Sequence, residues 1–453
     1  MSLAESVAAR LRSADFDNWM AGAARTGFCT KPVRLAGSST TLNPHSGEVI
    51  REFLGATQPD GLTYTRCGNR RARRCESCSH EYKGDTWHMI MAGAAGGMKG
   101  VPETVGDHPM AFVTLTAPSF GSVHSTTRSR LRGVCAHGRP RGCTGAHEAD
   151  DSVLGDPVCE DCYDYVGHIV WQFHAPELWR RFTIQLRRSL ARELGLTQRE
   201  AAQIVRVQFA KVAEFQRRGA VHFHAIIRLD GVSESEQFPP TPAGVTETHL
   251  ANAVRAAARS VSFEAPLVNG EQTRRILRWG AQLDVQPIVR REGLDGALSD
   301  RAVAAYIAKY ATKATEDLDG AGGLRIHIHR IKATAQLIAS GEGADGPYAL
   351  LSKWVHMLGF RGHFSSKSRR YSVTLGSLRG ARRRWRLERV IERARADGHD
   401  LEEVLVIGSW SFAGMGRRTD GDRALATEAA RAVREWRDAR RVRFEPTKGE
   451  KDA

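Results

Sequence analysis

Apolar residues recur with two different periods along this chain, and the places where the period changes mark its elements. Met110 to Thr116 reads MAFVTLT, alternating and β-branched, and ends before Pro118; this predicts a strand. Gln203 to Phe215 and Ala220 to Leu229 are two further β-rich runs, separated only by Gln216-Arg217-Arg218-Gly219, which predicts a hairpin. From Ala175 to about Leu194 the period lengthens to that of an amphipathic helix, with Pro176 suited to its first turn and Gly195 to its stop. A polar, Pro-rich linker spans 231–246. A helix is predicted from about residue 248 to 261, a strand from Gln282 to Val289, and a second helix from about Asp300 to Thr315. Residues 1–30 read as a short helix and loop. No internal repeat is visible.

Residues 125–165 carry no strong period, much glycine and four cysteines, so they predict a loop-rich insertion in need of a staple. At 453 residues the chain is too long for one ordinary core. The expected organisation is a cysteine-rich N-terminal region (1–105), a central domain (106–335) interrupted by an insertion at about 130–165, and a basic C-terminal region with a charged tail (336–453).

Lys and Arg number 66 against 51 Asp and Glu, a net charge of +15 that favours a polyanionic partner, most simply nucleic acid. No apolar run is long enough to cross a membrane, and the N-terminus lacks the core of a secretory signal, so no membrane partner and a cytoplasmic location are expected. No GxxxxGK[ST] loop occurs, which argues against a P-loop ATPase.

The hairpin carries the first candidate chemistry. In a strand, alternate residues share a face, so His222 and His224 point the same way while Val221, Phe223 and Ala225 point into the core. With Gly219 left-handed in a three-residue loop, Gln216 pairs with Ala220 and Glu214 falls opposite His222. Cross-strand neighbours have Cβ atoms about 4.5–5.5 Å apart, so the carboxylate and the two imidazoles can share one cation. That donor set suits Mn²⁺, or Mg²⁺ if water and phosphate oxygens complete the octahedron. A second HxH, His327 and His329 in RIHIHR, has no carboxylate on a predicted partner strand and is expected to be a basic surface strand.

Tyr306 and Tyr310 stand one turn apart on the predicted 300–315 helix, each followed three residues later by a lysine, Lys309 and Lys313. A phenol of pKa near 10 is a poor nucleophile unless a neighbouring ammonium favours the phenolate, and such an ammonium also holds a phosphate oxygen.

With no export signal, the eight cysteines read as metal ligands rather than disulfides. Cys135, Cys143, Cys159 and Cys162 are expected to hold one tetrahedral Zn²⁺, since the final Cys-x2-Cys is a common zinc knuckle. Cys67, Cys75 and Cys78 form a second set, with Cys29 the favoured fourth ligand and His80 or His88 as alternatives. Arg70, Arg71, Arg73 and Arg74 lie between these ligands as a basic knob. Further on, Arg369, Arg370, Arg382, Arg383 and Arg384, interleaved with Tyr371 and Trp385, are candidate contacts to strand phosphates.

The ordered set Phe112-Val113-Thr114-Leu115-Thr116, then Glu214 with His222-Phe223-His224, then Tyr306-Ile307-Ala308-Lys309-Tyr310-Ala311-Thr312-Lys313 resembles the HUH endonuclease superfamily. More narrowly, the chain is similar to the two-tyrosine rolling-circle initiators. The cysteine-rich N-terminal part and HMLGFRGHFSSKSRRYS (His356 to Ser372) resemble actinobacterial initiators of plasmids and integrative conjugative elements. The resemblance covers roughly Cys29 to Gly416. It implies an α+β fold, a central antiparallel sheet with helices on its faces. It also implies a metal-dependent enzyme that nicks single-stranded origin DNA through Tyr306 or Tyr310, leaves a 5′-phosphotyrosine, frees a 3′-OH primer and rejoins strands at termination. A host helicase would fit such an activity, though no motif encodes one. Two other readings compete: a transposase using the same chemistry on transposon ends, and a zinc-containing DNA-binding regulator without catalysis. Only the enzymatic readings account for Glu214, the two histidines and the two tyrosines together.

Overall fold

Two helices precede the first strand. In the computed structural model, which describes residues 1–129, 131–288, 325–396 and 403–444, α1 (Leu3–Leu11) opens on a capping box. Ser2 accepts from the Glu5 N–H, and the Glu5 carboxylate accepts from the Ser2 N–H at 2.7 Å. Next come α2 (Phe16–Arg25), β1 (Val33–Leu42), β2 (Val49–Leu54), β3 (Thr63–Thr65) and α3 (Glu76–Ala94). The central stretch holds β4 (Met110–Leu115), α4 (Tyr165–Glu193), α5 (Gln198–Ile204), β5 (Val205–Phe215), β6 (Val221–Gly231), α6 (Glu247–Ser260), β7 (Ser262–Glu264), β8 (Ile276–Arg278), β9 (Leu283–Ile288), α7 (Ile326–Ser340) and β10 (Ser365–Lys367). The C-terminal stretch supplies α8 (Leu375–Ala396), β11 (Leu405–Met415) and α9 (Asp420–Phe444).

The chain divides into two units, Thr86–Thr374 and the combination of Met1–Asp85 with Leu375–Ala453. In the second of these, β1 pairs along its whole length with β11, antiparallel, with β2 on its other edge and β3 beside its start. Arg10 of α1 ties this unit together through Asp422 of α9 at 2.7 Å and Asp60 at 2.9 Å.

The Thr86–Thr374 unit is built on a five-stranded antiparallel sheet in the order β10-β5-β6-β4-β9. One face packs against α4, α6 and α7: Leu115, Ala213, Val221, Phe223 and Ile227 meet Trp171, Leu178, Phe182, Leu250, Val254 and Ile331, all nearly fully buried. Burying each large apolar side chain contributes about 1.5–3 kcal/mol, so this face anchors the sheet. The other face carries Glu214, His222 and His224.

Two sequence expectations are corrected here. The long helix begins at Tyr165, not near Ala175, and Pro176 lies inside it. Residues Gly167 to Ala175 are buried on every side, so this first part of the helix has no polar stripe to reveal its period. The RIHIHR segment opens α7 and is not a surface strand: His327 is buried there, held by tertiary contacts that override its alternating pattern. The helix expected from Asp300 to Thr315 lies outside the described residues.

Candidate active site and metal clusters

The turn between β5 and β6 determines the geometry of the hairpin site. Gly219 has φ +80°, the left-handed conformation expected of it, and the Gln216 N–H donates to the Ala220 C=O at 2.9 Å. The resulting register sets Glu214 against His222 and Val212 against His224. A buried side chain on α4 holds the turn from behind. Gln172 Nε2 donates to the Gly219 C=O at 2.8 Å, and its Oε1 accepts from the Val221 N–H at 2.9 Å. His327 Nε2–H donates to the Arg218 C=O at 3.0 Å while its Nδ1 meets the Tyr165 hydroxyl at 3.1 Å. Arg218 donates to the Ala117 and Pro118 carbonyls at 3.0 and 2.9 Å. None of these three turn-holders was legible as functional in the sequence. A polar residue within the apolar run VWQFHA was the one trace of Gln172.

On the site face, His224 Nε2 meets Glu214 Oε2 at 2.9 Å, and its Nδ1 meets the Thr114 hydroxyl at 3.1 Å. Thr114 stands opposite His224 on β4 and holds its ring, as an outer-shell partner does for a ligating imidazole. The rings of His222 and His224 are 6.1 Å apart. His222 Nε2 is buried and has no hydrogen-bond partner. Burial, reinforced by His224 and Arg218, lowers the His222 pKa to about 3, so the ring is neutral at physiological pH. A neutral, buried imidazole nitrogen aimed at no protein group fits the donor role that the sequence assigned to it.

Among the described residues, three other groups bring their ligand atoms within 4.8 Å of one another; the Glu214–His222–His224 set is not among them. The first unites Cys29, Cys67, Cys75 and Cys78, the favoured set, with neither His80 nor His88. Cys75 and Cys78 lie 3.6 Å from Cys29, sulfur to sulfur. Sulfurs at about 2.3 Å from a tetrahedral zinc would be about 3.8 Å apart, so the spacing suits one ion. The thiol contacts push Cys29 up and Cys75 down, as in a cluster already poised to share negative charge.

The second group corrects the expected grouping in the insertion. Cys135, Cys159 and Cys162 converge with His137, while Cys143 lies with His124 and His147. His137 Nδ1 is 3.3 Å from Cys162 Sγ and 3.7 Å from Cys159 Sγ. In a loop-rich segment no period ties ligand spacing to direction, so the repeated x7 and x2 spacings misassigned one thiol. The signal that could have found His137 is its place two residues after Cys135. These clusters can hold metal ions such as zinc.

Of the candidate phosphate contacts, Arg369 and Arg370 are exposed and line a cleft with Arg187 and Arg206. Arg383 and Arg384 are exposed on α8. Arg382 is engaged in the protein, pairing with Asp85 at 2.5 Å and Glu81 at 3.2 Å. Trp385 is 56% exposed, with the Arg389 guanidinium 4.7 Å from its ring. Tyr306, Lys309, Tyr310 and Lys313 lie outside the described residues.

The fold is thus α+β, with an antiparallel sheet presenting histidines and with Cys/His clusters fit for metal. Residues 15–431 match a protein family described as the replication initiator protein of pSAM2, RepSA. A replication initiator protein of Streptomyces ambofaciens is 42% identical over 438 residues, covering 94% of this chain and 92% of that protein. No solved structure matches. This chain is a member of the pSAM2-type replication initiator family. No helix among the described residues is long and apolar enough to cross a membrane.

Proposed function

We propose that this initiator starts rolling-circle replication by nicking one strand of origin DNA through a tyrosine. The supporting observation is the β5–β6 register, which sets Glu214 opposite His222 and brings His224 alongside, with His222 Nε2 buried and unpartnered. Glu214, His222 and His224 would hold a Mn²⁺ or Mg²⁺ ion, which draws charge from the scissile phosphate and makes the 3′ oxygen a better leaving group. Thr114 fixes the His224 ring, and Gln172 keeps the turn in register.

In the reaction, the phenol of Tyr306 or Tyr310 loses its proton and its oxygen attacks phosphorus. The bond from phosphorus to the 3′ oxygen breaks, that oxygen takes up a proton as the primer 3′-OH, and a 5′-phosphotyrosine remains. Lys309 and Lys313 favour the phenolate and steady a phosphate oxygen. At termination a 3′-OH attacks the phosphotyrosine, restoring a phosphodiester and freeing the phenol. Two tyrosines allow a second transfer before the first is released.

Membership of a replication initiator family favours origin DNA over transposon ends as substrate. Exposed Arg369, Arg370, Arg383 and Arg384 would grip strand phosphates, so binding should weaken steeply with salt. A labelled single-stranded origin oligonucleotide, incubated with the protein and Mn²⁺ or Mg²⁺, tests the proposal. A covalent protein–DNA band that survives SDS and vanishes in Tyr306→Phe/Tyr310→Phe is expected. Tight binding with no covalent product would instead make the chain a non-catalytic DNA-binding regulator.

A further inference from the structure

Cys143, the thiol excluded from the Cys135–His137–Cys159–Cys162 cluster, has its own company. His124 Nδ1 and His147 Nε2 are 3.1 Å apart, with rings crossing at 88°, and Cys143 Sγ is 3.6 Å from His124 Nδ1. Zinc bound tetrahedrally at about 2.05 Å by nitrogen and 2.3 Å by sulfur would set two nitrogens about 3.3 Å apart and nitrogen from sulfur about 3.6 Å. The observed spacings are close to both. Cys143 is buried, so its sulfur is shielded from bulk solvent. The other ring nitrogen of His147 meets Asp151 Oδ2 at 2.7 Å, the carboxylate–histidine arrangement that orients a ligating imidazole.

We propose that His124, Cys143 and His147 form a third metal site, selective for Zn²⁺ or a similar borderline-soft divalent ion, with a fourth position open to water. Two imidazoles and one thiolate are a donor set for such an ion and a poor one for Mg²⁺ or Ca²⁺. The position of this site gives it a purpose. The loop that follows His147 lies on the β5–β6 turn: Arg217 donates to the Asp151 C=O at 3.0 Å and to the Ala149 C=O at 2.7 Å. At Gly155 a Cβ would come within 2.6 Å of Arg217 C and Arg218 N, so only glycine permits this approach. The main chain of His124 pairs with Asp156 and Gly155, at 2.8 and 2.9 Å, closing the segment on itself. Arg325 then bridges the two parts, donating to the Arg217 C=O at 2.7 Å and the Leu154 C=O at 2.9 Å. An ion at His124, Cys143 and His147 would therefore staple the insertion to the turn that sets Glu214 against His222.

The competing account is a neutral histidine pair joined by an N–H···N hydrogen bond beside a buried thiol. Metal stoichiometry separates the two without reference to nicking. Full-length protein carrying His222→Ala/His224→Ala, which removes the hairpin histidines from the count, would be purified with Zn²⁺ and weighed by native mass spectrometry. Three zinc ions per chain are expected. Adding Cys143→Ser or Cys135→Ser should each leave two, and adding both should leave one. Two zinc ions before any cysteine is changed would overturn the proposal, as would any other count in the cysteine variants. In the wild-type hairpin background, the Gln216 and Gly219 amides should exchange about tenfold faster in Cys143→Ser. Unchanged exchange would remove the link to the turn.

Discussion

The β5–β6 hairpin and the cysteine-rich insertion both gather histidines, yet they do so by opposite means. The hairpin places Glu214, His222 and His224 by register on a sheet whose other face is fully packed, so its geometry survives without an ion. The insertion places Cys135, His137, Cys159 and Cys162 on loops with little apolar core of their own, so an ion bound there would supply much of the local folding energy. In the proposed reading, one region would use the fold to make a metal site, and the other would use metal to make a fold.

That contrast is sharpest if one ligand is removed from each. Cys159→Ser should cost one zinc ion and several kcal/mol of local stability, exposing the insertion to proteolysis around residues 125–165. An insertion that stays protease-resistant without its zinc would erase the distinction. His222→Ala should do the reverse, lowering nicking by about 10²–10³-fold while the zinc held at the cysteine clusters and the circular dichroism stay unchanged. Thr114→Val, which leaves the ligands and removes only the group holding the His224 ring, should weaken Mn²⁺ affinity by about tenfold in a titration.

A smaller effect probes how firmly the sheet is packed. Lys211 lies on the core face of β5, wholly buried, its ammonium 4.3 Å from the Phe223 ring and donating to the His363 C=O at 3.3 Å. Burial lowers its pKa to about 7, below the ordinary value of 10.5. Between these values the unfolded chain binds the proton and the native chain does not, so stability rises with pH across that window; below about 7 the full cost of the buried charge is present. Lys211→Met should therefore raise the melting temperature, more at pH 6 than at pH 9. A shift independent of pH would show that the ammonium is not desolvated in the native state.

The same contrast explains what could be read from the residues alone. Strand alternation and the turn glycine are local, so the pairing of Glu214 with His222 followed from spacing alone. The pairing of β1 with β11, residues 33–42 against 405–415, joins segments whose sequences carry no mark of each other. About a third of α4 was missed because a helix buried all round shows no amphipathic stripe, and with it went Gln172, whose amide pins the turn. The four thiols of the insertion were grouped by spacing, yet a loop lets direction vary freely, and His137 took the place of Cys143. Cys29 was favoured as the thiol left over beside Cys67, Cys75 and Cys78, and the structure brings its sulfur within reach of theirs.

The central claim is that the hairpin serves tyrosine chemistry on DNA, and peptide mapping of a covalent adduct tests it most directly. After reaction with a single-stranded origin oligonucleotide and Mn²⁺, mass spectrometry of the digested protein should find the 5′-phosphate on Tyr306 or Tyr310, and adduct formation should fall about 10²–10³-fold in His222→Ala. An adduct on any other residue, or one formed undiminished without His222, would contradict the account.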